Sequence, residues 1–238
     1  MTVNRTTAYA TTGGIAVPRQ PSGPARERRL AGLRLAGRRA ARTAGRPAPV
    51  VRDLRGRAGR SPRTLTFGRD DLVVITGLPG SGKSTLMHRA VPGRRVDSQD
   101  TRERWAARLP RVLPYALYRP LVRLAHYGVL RHALGTGEGV VVHDCGTQPW
   151  VRGWLARAAR RRGGTLHLLV LDVTPDTARA GQRERGRGVS RYAFRRHRRT
   201  TARLLGAVER GELPGGCGSA LLLDREAADA LERIYFAR

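Results

Sequence analysis

From Asp70 onward, short unbroken apolar runs are set between longer stretches in which apolar residues recur every third or fourth position. The runs are Leu72–Ile75, Val140–Val142, Leu166–Val173 and Ala220–Leu223. None alternates with polar residues, which is the mark of strands covered on both faces. Between them, Leu117, Leu121 and Leu124 fall on one helical face with Arg119 and Arg123 elsewhere, and Val151, Leu155 and Ala158 repeat the spacing. This predicts amphipathic helices, the first with its leucines as the apolar face, and shorter helices over about Lys83–Arg89 and Glu103–Leu109. Strands alternating with helices predict an α/β fold built on a mostly parallel sheet. There is no repeat of solenoid type.

Composition divides the chain. Residues Met1–Arg69 hold 16 arginines against Glu27 and Asp53, a net charge of +14, and almost no Ile, Phe, Tyr or Trp. Such a segment cannot close a core, so residues 1–69 are expected to be a disordered Arg-rich tail and 70–238 the folded domain. Within the tail, Arg26–Arg42 carries Leu30, Leu33 and Leu35 among arginines, a pattern that also suits a helix on an anionic surface. The whole chain of 238 residues carries +28, yet 45 of its 46 basic residues are Arg and only Lys83 is Lys, so much of the excess is background. The field still attracts nucleic acid, anionic lipid or phosphorylated small molecules, mostly without specificity, and nucleic acid chiefly through the tail. No apolar run is long enough for a transmembrane segment, and Cys145 and Cys217 are too far apart to suggest a zinc site or a disulfide framework. A cytoplasmic protein is the expectation.

After the first strand the chain reads Gly77-Leu78-Pro79-Gly80-Ser81-Gly82-Lys83-Ser84-Thr85, the G-x-x-x-x-G-K-[ST] of a phosphate-binding loop, or Walker A motif, in its strand-to-helix setting. Gly77, Gly80 and Gly82 let backbone N–H groups turn around a phosphate, with Ser81 and Thr85 completing the loop and the helix start. Lys83 is placed to reach the β- and γ-phosphates and Ser84 to take a position on Mg2+. That the only lysine of so arginine-biased a chain stands here agrees with the role, since a compact ammonium between phosphates is not replaced by a planar guanidinium. ATP and Mg2+ are the cofactors this implies.

Acids at strand ends come next. Asp97 and Asp100, in Arg94-Arg95-Val96-Asp97-Ser98-Gln99-Asp100-Thr101-Arg102, can act as the base for an attacking hydroxyl, hold a metal through water, or simply cap a helix. Asp97 is favoured because it stands nearer the strand end. Val140-Val141-Val142-His143-Asp144 reads as a Walker B strand whose Asp144 holds Mg2+ through water, with His143 and Cys145 read as packed strand residues. Beyond Asp172, a helical stretch with Arg179, Arg183, Arg185 and Arg187 suits a flap over the nucleotide, Arg183 and Arg187 being the favoured pair. The cluster Arg195, Arg196, His197, Arg198 and Arg199 reads as a solvated face, though a polyanionic substrate would suit it.

In this order the parts resemble the P-loop kinase-like ATP-binding proteins that include polynucleotide kinase and the zeta-toxin type of small-molecule kinase. The arrangement is most similar to the AAA-type ATP-binding proteins that share this domain. The resemblance spans about Asp70–Arg238 and implies a P-loop NTPase three-layer sandwich. It further implies an S-x-D-x-x-R-like segment in which Arg102 holds the acceptor; on that match Gln99 stands where the family has its acid, with Asp97 and Asp100 on either side. Arg183–Arg187 resembles the family's arginine lid, and the helices over Tyr115–Leu134 are expected to cover an acceptor pocket. The implied activity is transfer of the ATP γ-phosphoryl group to a hydroxyl of a small molecule or nucleic-acid end. ATP hydrolysis and nucleotide-gated nucleic-acid binding are the alternatives.

Overall fold

The computed structural model describes residues 50–57, 59–110, 112–143, 149–184, 186 and 189–237. Six strands form one sheet in the order β1-β7-β6-β3-β5-β4: β1 Val50–Asp53, β3 Leu72–Gly77, β4 Arg95–Val96, β5 Val140–His143, β6 Leu166–Leu171 and β7 Cys217–Leu223. Every pairing in it is parallel. The helices are α1 Lys83–Ala90, α2 Ser98–Arg108, α3 Tyr115–Gly135, α4 Pro149–Arg161, α5 Pro175–Glu184, α6 Arg191–Glu209 and α7 Arg225–Ala230.

The unbroken apolar runs become central strands because both faces are covered. On β3, Val73 and Ile75 join Leu86 and Met87 of α1 and Ala227 and Ala228 of α7. Leu72 and Val74 join Leu130 of α3, Val151 and Leu155 of α4 and Val208 of α6 on the other face. The result is the expected three-layer α/β sandwich.

The tail boundary at residue 69 is corrected. Val50–Asp53 pairs in parallel with β7 and becomes an edge of the main sheet. Thr64–Phe67, here β2, pairs in parallel with β8, Arg233–Phe236. Leu54, Leu65 and Phe67 are buried in the core. Arg55 locks the segment down through Asp53, Asp172 at the end of β6 and Glu209 of α6, its Nη1 lying 2.6 Å from Asp172 and 2.8 Å from Glu209. An edge strand bonds on one side only and tolerates charge, so its composition resembled that of a tail. The remainder of the expected tail, residues 1–49, lies outside the described residues.

Helix α3 is also turned differently from expectation. Leu117, Leu121 and Leu124 are exposed, at 68%, 51% and 71%, while Tyr118, Val122, Leu130 and Ala133 are buried. Two apolar stripes share this helix, and the one with the bulkier leucines is not the one the sheet covers.

Candidate active site

The loop after β3 is shaped by its glycines. Gly80 and Gly82 hold φ of 88° and 93°, conformations that side-chain-bearing residues rarely adopt. Gly82 is the N-cap of α1, which has neither a capping side chain nor an acid in its first turn. A helix start without a capping side chain or an acid suits an anionic ligand. Lys83 is buried, and its ammonium donates to Gly77 O at 3.0 Å, Leu78 O at 2.6 Å and Ser81 Oγ at 3.3 Å. Gly77, Gly80, Gly82, Lys83 and Ser84 all line a cavity of about 390 Å3. Ser81 sits behind Lys83, and Thr85 is exposed and outside the cavity lining.

Helix α5 lies directly on the loop. A Cβ on Gly80 would stand 2.0 Å from Ala178 O, and one on Gly181 2.6 Å from Gly80 O. Gln182 fastens the contact: its Nε2 donates to Pro79 O at 2.8 Å, and its Oε1 accepts from Val189 N at 3.1 Å. Nothing in the sequence marked Gln182. The arginine expected there, Arg183, lines an adjoining depression with Arg179 and Phe194, which shares Gln182, Gly186 and Val189 with the loop cavity; Arg183 itself is not in the loop-cavity lining. The face of α5 carrying Gly181 and Gln182 meets the loop, with Arg183 next in sequence beside it. Arg185 and Arg187 lie outside the described residues, as do Asp144 and Cys145.

The two candidate bases keep a carboxylate oxygen each within 4.8 Å of the other and of a His88 ring nitrogen, but differ in setting. Asp97 follows β4, caps α2 by accepting from Gln99 N at 2.8 Å, and has its carboxyl fully buried. Because of this cap α2 begins at Ser98, five residues before the expected start. Asp97 Oδ1 is 2.5 Å from His143 Nδ1 at the end of β5. Burial alone raises the carboxyl pKa, but the hydrogen bond and charge of His143, then Gln99 N and Ser84, hold it well below the ordinary carboxylate range. Its Oδ2 is buried without a hydrogen-bond partner. Asp100, by contrast, is turned toward His88, 3.6 Å away, and lines neither the loop cavity nor its neighbour.

A second cavity of about 540 Å3 adjoins the first, walled by α2, α3, β5 and α6. Gln99, Arg102, His143 and His197 line both. Gln99 and Arg102 are three residues apart and share one face of α2. Arg119, Arg123 and His126 enter from α3, and Tyr127, edge-on to Trp150 at 5.2 Å, forms part of the wall. Arg196 and His197, expected on a solvated face, also line it. His143, read as a packed strand residue, stands between the cavities; its place at a strand end beside an acid was the available signal.

Ser84 Oγ and the unpartnered Asp97 Oδ2 form a pair of hard oxygen donors beside the loop, which fits Mg2+. The fold and this loop define a P-loop, kinase-like nucleotide-binding protein. A family model described as AAA domain matches residues 72–210, and the chain belongs to that family. No curated protein matches the sequence. Among solved structures, the chain is similar to a gluconokinase from Sinorhizobium meliloti, at 17% identity and TM-score 0.38, covering 68% of this chain and 92% of that one. It is similar to the APS kinase CysC of Mycobacterium tuberculosis, at 19% and 0.35 over 68% and 93%, and to the PezAT toxin–antitoxin system of Streptococcus pneumoniae, at 11% and 0.46 over 90% and 88%. Among the described residues, no helix is long and apolar enough to cross a membrane.

Proposed function

We propose that the protein is a kinase that passes the γ-phosphoryl group of ATP to a hydroxyl of a small molecule. The observation that carries this reading is the pair of adjoining cavities with His143 on the wall they share. A hydrolase needs room only for water, whereas a second cavity open to the phosphate loop accommodates an acceptor.

Lys83 and the loop amides hold the phosphates, and Ser84 with Asp97 Oδ2 would hold Mg2+, which neutralises charge on the β- and γ-oxygens when bound. In its neutral form His143 keeps its proton on Nδ1, donated to Asp97 Oδ1, which leaves Nε2 as an acceptor. The acceptor oxygen attacks the γ-phosphorus while the bond from phosphorus to the β–γ bridging oxygen breaks. The hydroxyl proton passes to His143 Nε2, and ADP leaves with the bridging oxygen's electrons. Asp97 is a positioning residue in this step, and Arg102 contacts the acceptor.

Calorimetric titration of ATP with Mg2+, followed by an ADP-release assay with pooled hydroxyl acceptors, tests the proposal. Lys83→Ala is expected to weaken binding by at least about tenfold. His143→Ala is expected to keep binding and to lower acceptor-dependent ADP release by about a hundredfold or more. ADP formed equally fast without acceptor would indicate hydrolysis, and binding with no turnover a nucleotide-gated binder.

A further inference from the structure

Several arginines of the described surface meet acids. Arg55 meets Asp53, Asp172 and Glu209; Arg94 meets Glu138; Arg210 meets Glu212; Arg225 meets Asp229. The second cavity gathers others on its wall. Arg119 and Arg123 of α3 and Arg196 of α6 line it, and among the described residues none of the three is paired with a carboxylate. No described lining residue is acidic. Asp97 lies behind His143, and Asp100 is turned toward His88.

Arginine is so common in this chain that the number of guanidinium groups proves little. Their convergence is more telling. The ring of His197 lies where charges from three elements meet, and its pKa is lowered first by burial and then by Lys83, Arg196 and Arg119. Positive groups held together without a counter-charge repel one another, a cost that a bound anion removes. The cavity volume, about 540 Å3, suits a compact molecule rather than a polymer.

Resting on the kinase reading, we infer that the acceptor is a small hydroxyl compound carrying its own oxyanion, which Arg119, Arg123 and Arg196 hold while its hydroxyl faces His143. Phosphate, sulfate and carboxylate share the required chemistry, a compact group of acceptor oxygens with negative charge. Neutral sugars and alcohols lack it.

The full chain, with its phosphate loop first filled by the non-hydrolysable analogue AMPPNP and Mg2+, is titrated with ribose 5-phosphate, gluconate and ribose at constant ionic strength. The expected result is that at least one anionic probe binds about tenfold or more tightly than ribose, the stronger of the two showing which oxyanion is preferred. Arg119→Ala combined with Arg196→Ala is expected to abolish the preference while leaving AMPPNP affinity within about twofold, and Arg210→Ala to change neither. Ribose binding as well as both anions would overturn the inference. So would a preference that survives the double substitution, which would assign it to charge elsewhere on the chain. The first titration separates the readings: failure to bind AMPPNP defeats the nucleotide site itself, whereas AMPPNP binding without anion preference defeats only the acceptor class.

Discussion

Replacing Gly80 with alanine tests whether α5 and the phosphate loop are built as one unit. Two costs are distinct. The first is backbone conformation: φ of 88° is unfavourable for any residue with a Cβ, by about 1 kcal/mol. The second is contact, since the new methyl would stand 2.0 Å from Ala178 O and 2.8 Å from Gln182 Cγ. The glutamine can rotate, but the carbonyl belongs to helical backbone, so α5 must move away; overpacking of this kind costs about 2 kcal/mol. Gly163→Ala separates the terms, because Gly163 has φ of 81° with nothing within 4 Å of its Cβ position. At about 3 °C per kcal/mol for a chain of this size, Gly163→Ala should lower Tm by about 3 °C and Gly80→Ala by about 9 °C. Differential scanning calorimetry supplies both numbers, and ATP titration should show weakened binding only in Gly80→Ala. Equal Tm shifts with unaltered ATP affinity in both would refute the claim that α5 braces the loop.

Other consequences are open to direct measurement. Asp97 has its folded-state pKa depressed, so the stability it contributes is fully present above the ordinary carboxyl value near pH 4 and lost as pH falls below it. Denaturant unfolding from pH 6 to pH 3 should therefore show the difference between the protein and Asp97→Asn narrowing below about pH 4; a constant difference would remove the charged role from this carboxyl. Gln182→Ala should speed hydrogen exchange at the Val189 amide by about fivefold or more, with no comparable change in β3, as measured by mass spectrometry. A fragment of residues 50–238 should fold, whereas one of residues 70–238, lacking β1, β2 and the Arg55 ion pairs, should melt at least about 10 °C lower or fail to accumulate.

Much of the architecture was legible because it depends on local repetition. Buried parallel strands must be apolar on both faces, so β3, β5, β6 and β7 declare themselves, and the phosphate loop is written in consecutive residues. What escaped depends on context. Strand β1 reads as tail because an edge needs little apolar surface, and α3 carries two apolar stripes between which spacing cannot choose. The candidate site splits the same way. Gly80, Gly82, Lys83 and Ser84 fall where the motif places them. Asp97 and Asp100 stand three residues apart on a capped helix, and only the helix's rotation decides that Asp97 meets His143 while Asp100 meets His88. Gln182, Arg196 and His197 are polar residues on helices, indistinguishable from solvated ones until the helices are docked.

The lone lysine has a practical consequence. Apart from the α-amino terminus, Lys83 holds the only primary amine in the chain, and that amine is buried against the carbonyls of Gly77 and Leu78. Amine-directed acylating reagents therefore have one side-chain amine to reach, placed where phosphates are to bind. A reactive ester carried on a nucleotide would form a side-chain amide at this one known position, and the rate of amide formation would report occupancy of the loop without any engineered probe.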